Sequence, residues 1–166
     1  MAYEIERRFK VNGERWRGLA PGIWYRQGYV SVEPQRTVRV RVVGELAWLT
    51  LKGQISSMRR HEFEYPVPLA DAEAMLTHLC AMQVEKKRYR IELDGFIWEV
   101  DEFFGDNAGL ILAEIELPDE HTPFTRPDWL GEEVTEDGRY TNAWLSQHPY
   151  TQWADPAQGS PVPPAP

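Results

Sequence analysis

Glu4 and Glu6 stand two residues apart, and Arg8 and Lys10 continue the same spacing. In a strand, side chains alternate between faces, so this spacing gathers two carboxylates and two cations on one side. The pattern recurs along the chain. Arg39 and Arg41 alternate with valines, and Lys52 closes a run whose Leu49 and Leu51 fall on the other face. Arg60, Glu62 and Glu64 oppose His61, Phe63 and Tyr65, while Lys86, Arg88, Arg90 and Glu92 share a side. Glu99 pairs with Asp101 and Glu114 with Glu116. Carboxylates without neighbouring His or Cys suit a hard divalent cation such as Mg²⁺ or Mn²⁺. Clustered Arg and Lys suit phosphate oxygens, with Arg able to grip them through two bonds at once. If these faces point into one interior, the two sets together suit phosphoryl-transfer chemistry on a polyphosphate. There is no GxxxxGK loop to supply the same chemistry by a P-loop.

Like charges at i and i+2 on a pleated face repel by about 2.4 kcal/mol at an effective dielectric near 20, and by far less in water. Their repetition therefore leaves two readings. Either the charged faces are solvated, or they line an interior that metal and phosphate stabilise.

The elements that must carry these residues follow from the period. Residues 3–11, 37–43, 47–52, 59–66, 84–93, 96–103 and 109–117 alternate as strands, and Tyr25 to Val32 is a weaker candidate with Gly28 as a bulge. Gly44-Glu45, Gly53, Asp94-Gly95 and Gly105-Asp106-Asn107 mark turns. Leu69 to Met82 carries Ala72, Met75, Leu76, Leu79 and Met82 at helical spacing, with Asp71 as a candidate N-cap. A short helix is expected after Thr141. About eight strands with one crossing helix point to an antiparallel barrel or sandwich. Trp48 and Trp98 are expected to wrap its outside, and Met75, Cys80 and Met82 to belong to the core of the crossing helix. Arg90 and Lys10 are expected to be solvated at strand ends. The four histidines have no ligand spacing.

The chain has 166 residues, fitting one domain over residues 1–150. A Pro-rich stretch over 151–166 reads as a flexible tail. Its 18 Lys and Arg against 26 Asp and Glu give a net charge of −8, which argues against nucleic acid as a partner. The single cysteine excludes an intramolecular disulfide framework. No apolar run is long enough to span a membrane, and residues 1–10 are too charged for a signal-peptide core. These features lead to the expectation of a cytoplasmic protein, monomeric or homodimeric.

The ordered motifs resemble the CYTH domains, also called triphosphate tunnel metalloenzymes. Glu4-Ile5-Glu6-Arg7-Arg8-Phe9 resembles their ExExK opening, with Arg8 in place of the lysine. The likeness continues through Tyr25-Arg26-Gln27-Gly28-Tyr29, Arg39-Val40-Arg41, Thr50-Leu51-Lys52, Arg60-His61-Glu62-Phe63-Glu64 and Val84-Glu85-Lys86-Lys87-Arg88-Tyr89. Glu99-Val100-Asp101, Ala113-Glu114-Ile115-Glu116, Gly131-Glu132-Glu133-Val134-Thr135 and Arg139-Tyr140 complete it. The short bacterial tripolyphosphatase-like members are the most similar.

The resemblance implies a mainly β fold, an eight-stranded antiparallel closed β-barrel with a few flanking helices, and hydrolysis of inorganic triphosphate to diphosphate and phosphate inside it. It implies Glu4, Glu6, Glu114 and Glu116 as the main ligands of two Mg²⁺ or Mn²⁺ ions, with Glu62, Glu64 and Asp101 helping to hold metal or its waters. Arg8, Arg39, Arg41, Lys52, Lys86, Arg88 and Arg139 would bind phosphate. The catalytic residues implied are Lys86, which would donate a proton to the leaving group, Tyr29, which would handle a proton or gate the substrate, and Glu62. The alternatives are an organic triphosphate substrate (ATP for cyclisation, or thiamine triphosphate), a binding module without turnover, and a lipocalin-type barrel with an apolar interior.

Overall fold

The computed structural model describes residues 2–153. Nine strands form one antiparallel sheet: β1 Tyr3–Val11, β2 Gly22–Ser31, β3 Thr37–Val43, β4 Leu46–Gln54, β5 Arg59–Pro66, β6 Gln83–Leu93, β7 Phe96–Phe104, β8 Ile111–Glu116 and β9 Leu130–Glu133. Their order is β5-β4-β3-β2-β6-β7-β8-β1-β9, and β5 also pairs with β1. Eight strands thus close into a ring. The closure is divided along β1: residues 3–5 pair with 61–59, and further on Phe9 pairs with Glu133 and Val11 with Leu130 of β9. Its other edge pairs with β8, Glu6 opposite Glu116.

The alternation explains why the core lies outside the ring. Phe9, Trp98, Val100, Ala113 and Ile115 project outward and are buried under Trp16 and Trp129 from the connecting segments, with Phe124 packed edge-on to Phe9 and Trp98. Helix α1, Leu69–His78, covers a second outer patch with Ala72 and Leu76 on Val40, Val42 and Ala47. Gly28 makes room for it: a Cβ there would lie 2.9 Å from side-chain carbons of Leu76 and Cys80. The bulge expected at Gly28 falls instead between Tyr29 and Ser31.

A third cluster fills one end of the ring from within. Val84, Phe103 and Leu112 share the inward parity of Lys86, Asp101 and Glu114. They are buried against Val134, Tyr140, Trp144, Leu145 and Trp153 of the C-terminal segment. The charged interior therefore has an apolar floor at that end, which the alternation of charges does not announce. Helix α2, Asn142–Leu145, supplies Trp144 and Leu145 to this floor, with Thr141 capping it through its hydroxyl.

Several expectations shift. The crossing helix ends at His78 rather than Met82, because the chain must turn into β6, and Leu79 is left exposed. Pro68, not Asp71, is the N-cap residue, and Asp71 lies in the first turn. The boundary expected at residue 150 falls in the short turn Tyr150–Gln152, and Trp153 beyond it is buried. The remainder of the expected tail, from 154, lies outside the described residues. Trp48 lines the cavity instead of wrapping the ring, since it shares the parity of Lys52; Trp98 is in the outer core.

Candidate active site

The ring encloses a cavity of about 630 Å³. Eight carboxylates and eight Lys or Arg side chains line it, so the chain's excess of −8 is carried elsewhere. Around the ring these charges are segregated. The inward rows of β5, β1, β8 and β7 bring Glu62, Glu64, Glu4, Glu6, Glu114, Glu116 and Glu99 to the cavity, with Asp101 behind its surface; Arg60 and Arg8 are the cations of these rows that line it, Lys10 lying beyond, and Glu136 is the eighth lining carboxylate. Those of β6, β2, β3 and β4 bring Lys86, Arg88, Arg90, Arg39, Arg41 and Lys52 to the cavity and no carboxylate, since Glu92 at the far end of the β6 row lies outside the lining. Tyr25, Gln27 and Tyr29 complete this second wall. Cavity and segregation together reject both the solvated-face reading and a lipocalin-type apolar interior.

Ion pairs join the walls. Lys52 Nζ donates to Glu4 at 2.6 Å and lies 3.3 Å from Glu62. Arg88 donates to both oxygens of Asp101 at 2.7 and 2.8 Å and reaches Glu114 at 3.3 Å. Lys86 Nζ donates to Asp101 at 2.7 Å and to Asn142 Oδ1 at 3.0 Å. Arg39 donates to the Thr50 hydroxyl at 3.1 Å and to Glu64 at 3.3 Å, and that hydroxyl donates to Glu64. Within the acidic wall, Arg8 donates to Glu114 and Glu6.

The buried groups are strongly perturbed. Burial, then the carboxylates of Glu114 and Glu4, push Glu6 up to about 8. Burial and the neighbouring carboxylates Glu4, Glu62 and Glu99 also raise Glu116, which has no ion-pair partner among the described residues. Glu116 stands at the exposed end of β8, whereas Glu114 is buried like Glu6, and Arg8, Arg88 and Lys86 outweigh that burial to hold it well below the usual range. Across the cavity, burial outweighs the attraction of Asp101 and brings Lys86 down to about 7, with Arg88 and Arg41 adding to the fall. Burial and the charges of Arg39 and Arg88 lower Arg41 to about 9. Arg41 donates only to Gln27, at 2.9 Å, and makes no ion pair among the described residues. A cation in that state is prepared for an anion.

Glu4, Glu6, Glu62, Glu64, Glu114, Glu116, Arg8, Arg39, Arg41, Lys52, Lys86, Arg88 and Tyr29 all line the cavity. Two expected site residues do not. Asp101 is almost fully buried behind the cavity surface, with both oxygens taken by Lys86 and Arg88, so it orients the basic wall. Arg139 bonds to Asp137 and lies over the Trp153 ring. Arg90, expected at a solvated strand end, joins the cavity rim paired with Glu99. Sequence reasoning gave no role to three residues that belong here. Gln27 shares the parity of Tyr25 and Tyr29, and Arg60 that of Glu62 and Glu64, so both were findable. Asn142, which joins Gln27 to Lys86, comes from a segment without strand periodicity and carries no such signal.

The four carboxylates Glu4, Glu6, Glu114 and Glu116 offer hard oxygen donors with no His or Cys among them, which fits Mg²⁺ or Mn²⁺ in kind. Among the described residues no three acidic or imidazole groups already converge as a metal site. Lys52 and Arg8 engage Glu4, Glu6 and Glu114 instead.

The CYTH domain model matches residues 2–142. An inorganic triphosphatase of Acetivibrio thermocellus is 47% identical over 156 residues, covering 93% of this chain and 100% of its own. One from Nitrosomonas europaea is 35% identical over 151 residues, 86% of this chain and 96% of its own. A solved inorganic triphosphatase superposes with a TM-score of 0.63 at 35% identity, covering 86% of this chain and 96% of that one. A Pyrococcus horikoshii protein at 20% identity and a TM-score of 0.57, covering 71% and 80%, shares the fold.

Proposed function

The chain belongs to the CYTH domain family, and on that premise we propose that it hydrolyses inorganic triphosphate to diphosphate and phosphate in the two-walled cavity. The segregation of carboxylates from cations carries this reading: one wall is built for cations and the other for phosphate oxygens. The activity named for the relatives at 47% and 35% identity supports it.

Glu4, Glu6, Glu114 and Glu116 would hold divalent metal, Mg²⁺ or Mn²⁺, with Glu62 and Glu64 beside them. What the metal supplies when bound is neutralisation of phosphate charge and a water acidified for attack. The chain's own residues do the rest. Arg39 and Arg41 grip phosphate oxygens, helped by Lys52 once Glu4 turns to metal and by Arg88, which Asp101 keeps oriented. Water oxygen forms a bond to the attacked phosphorus while the bridging P–O bond breaks. Lys86 holds a proton at Nζ, fixed by Asp101 and Asn142, for the oxygen of the leaving phosphate. Tyr29 lines the same wall as Arg41 and would help to orient the substrate. A cytoplasmic setting and small-molecule polyphosphate substrates are part of the proposal; no described helix is long and apolar enough to cross a membrane.

The test is phosphate release from tripolyphosphate with Mg²⁺ or Mn²⁺, run beside ATP and thiamine triphosphate. Preferred release from tripolyphosphate, lost in Glu4→Gln, is the expected result. Tight binding without release, or cyclic AMP formation from ATP, would sink it.

A further inference from the structure

Two cations stand on the acidic wall, and the structure employs them differently. Arg8 is engaged by Glu6 and Glu114 through three hydrogen bonds. Arg60, in the inward row of β5 with Glu62 and Glu64, lines the cavity, yet its side chain donates no hydrogen bond among the described residues. Its Nε is buried without a partner. Its nearest carboxylate approaches are 3.7 Å to Glu4 and 3.9 Å to Glu6, beyond hydrogen-bond reach. Both of those carboxylates already have closer cations, Lys52 at 2.6 Å and Arg8 at 2.9 Å. Arg60 thus adds its charge to theirs from a distance, while neither carboxylate meets its donors.

A guanidinium offers five donors in a planar fork, and burying such donors unmet is unfavourable unless a ligand meets them. Among the described residues that line the cavity, two other arginines are similarly underused. Arg39 has a buried Nε without a partner, and Arg41 donates only to Gln27. Both lie on β3, two strands from Arg60 with β4 between. The unmet donors thus face the cavity from both walls.

We infer that Arg60 is a substrate-binding residue. It receives the phosphoryl group nearest the carboxylates, while Arg39 and Arg41 hold another phosphoryl group of the same chain. This rests on reading the cavity as a triphosphate site. It also gives the acidic wall what its carboxylates cannot provide: a direct donor to an anion that they would otherwise repel.

The experiment compares wild type, Arg60→Gln and Arg60→Lys, each checked for folding by thermal melting. Three measurements are made: tripolyphosphate binding in EDTA by calorimetry, Mn²⁺ binding to the free protein by electron paramagnetic resonance, and KM and kcat with Mg²⁺. Arg60→Gln is expected to weaken metal-free tripolyphosphate binding by about tenfold or more and to raise KM similarly, with kcat within about threefold, the size of a lost charge-assisted bond. Arg60→Lys, which keeps the charge but not the fork, should fall between and serves if the Gln variant does not fold. Tripolyphosphate binding and KM within about twofold of wild type, with tighter Mn²⁺ binding, would reduce Arg60 to a counter-ion of Glu4 and Glu6 and overturn the inference. Absence of phosphate release by wild type would instead overturn the hydrolytic reading, and the EDTA binding comparison would still decide the role of Arg60.

Discussion

The two walls of the cavity come from the same two-residue alternation, yet they balance charge differently. On the basic wall, Lys86, Arg88, Lys52 and Arg39 each lean on a carboxylate from the facing wall, and Arg41 leans on a neutral amide. On the acidic wall, seven cavity-lining carboxylates surround two arginines, and the shortage of cations shows in Glu6, held at about 8, and in the raised Glu116. Gathering like charges on adjacent strands raises the cost within each wall and makes each a partner for the other. In the free protein the walls neutralise one another; metal on one side and polyphosphate on the other would release both.

That comparison can be broken by experiment. The largest effect is expected from Glu6→Gln, which removes a ligand from the acidic wall. Its kcat should fall at least about a hundredfold, while tripolyphosphate binding in EDTA is retained, because a metal-free carboxyl held at about 8 carries little charge at pH 7 for the amide to remove. Weakened anion binding in that variant would mean that the walls do not divide the work. Next is Arg41→Ala on the basic wall, where KM should rise about tenfold or more with Mn²⁺ affinity of the free protein unchanged. A loss of metal affinity there would count against the division. Asn142→Ala, which frees Lys86 Nζ and Gln27 Nε2 together, should lower kcat several-fold, about fivefold, without a comparable rise in KM. An unchanged kcat would show that Asp101 alone fixes Lys86.

The smallest effect belongs to an ion pair outside the cavity. Glu133 accepts two bonds from Arg7, which with partial burial working against them hold its carboxyl below the ordinary value of 4.5. A depressed acid stabilises the fold above its unfolded pKa, and that contribution is lost as pH falls through the lower folded value. Being about one-third exposed, the pair is worth less than about 1 kcal/mol. Glu133→Gln should therefore lower the melting temperature slightly at pH 7, with the difference vanishing in acid. A difference that persists in acid would exclude the ion pair as its source.

How much of this was legible in the sequence varied with the kind of residue. Strand residues were exposed to reasoning because parity alone groups Glu4 with Glu6 and Lys86 with Arg88. Even β2, the weakest candidate, is a ten-residue strand, since Gly28 serves helix packing rather than interrupting the ladder. Asn142 and the apolar floor were hidden because they come from irregular segments, where no period links position to direction. Asp101 shows the remaining limit: parity turned it inward correctly, but the two cations on β6 bury it before it reaches the cavity surface.

By itself, the sequence determined which side chains share a face and that the chemistry is that of carboxylates with arginines and lysines, because a strand's two-residue repeat is a local property of the backbone. Only the tertiary structure decided which faces meet. Ring closure through β1 and β5 put the acid-rich strands side by side and opposite the cation-rich ones, an outcome of strand order that no local pattern encodes. The same closure left Arg60 among carboxylates already engaged by other cations, with its own donors unmet.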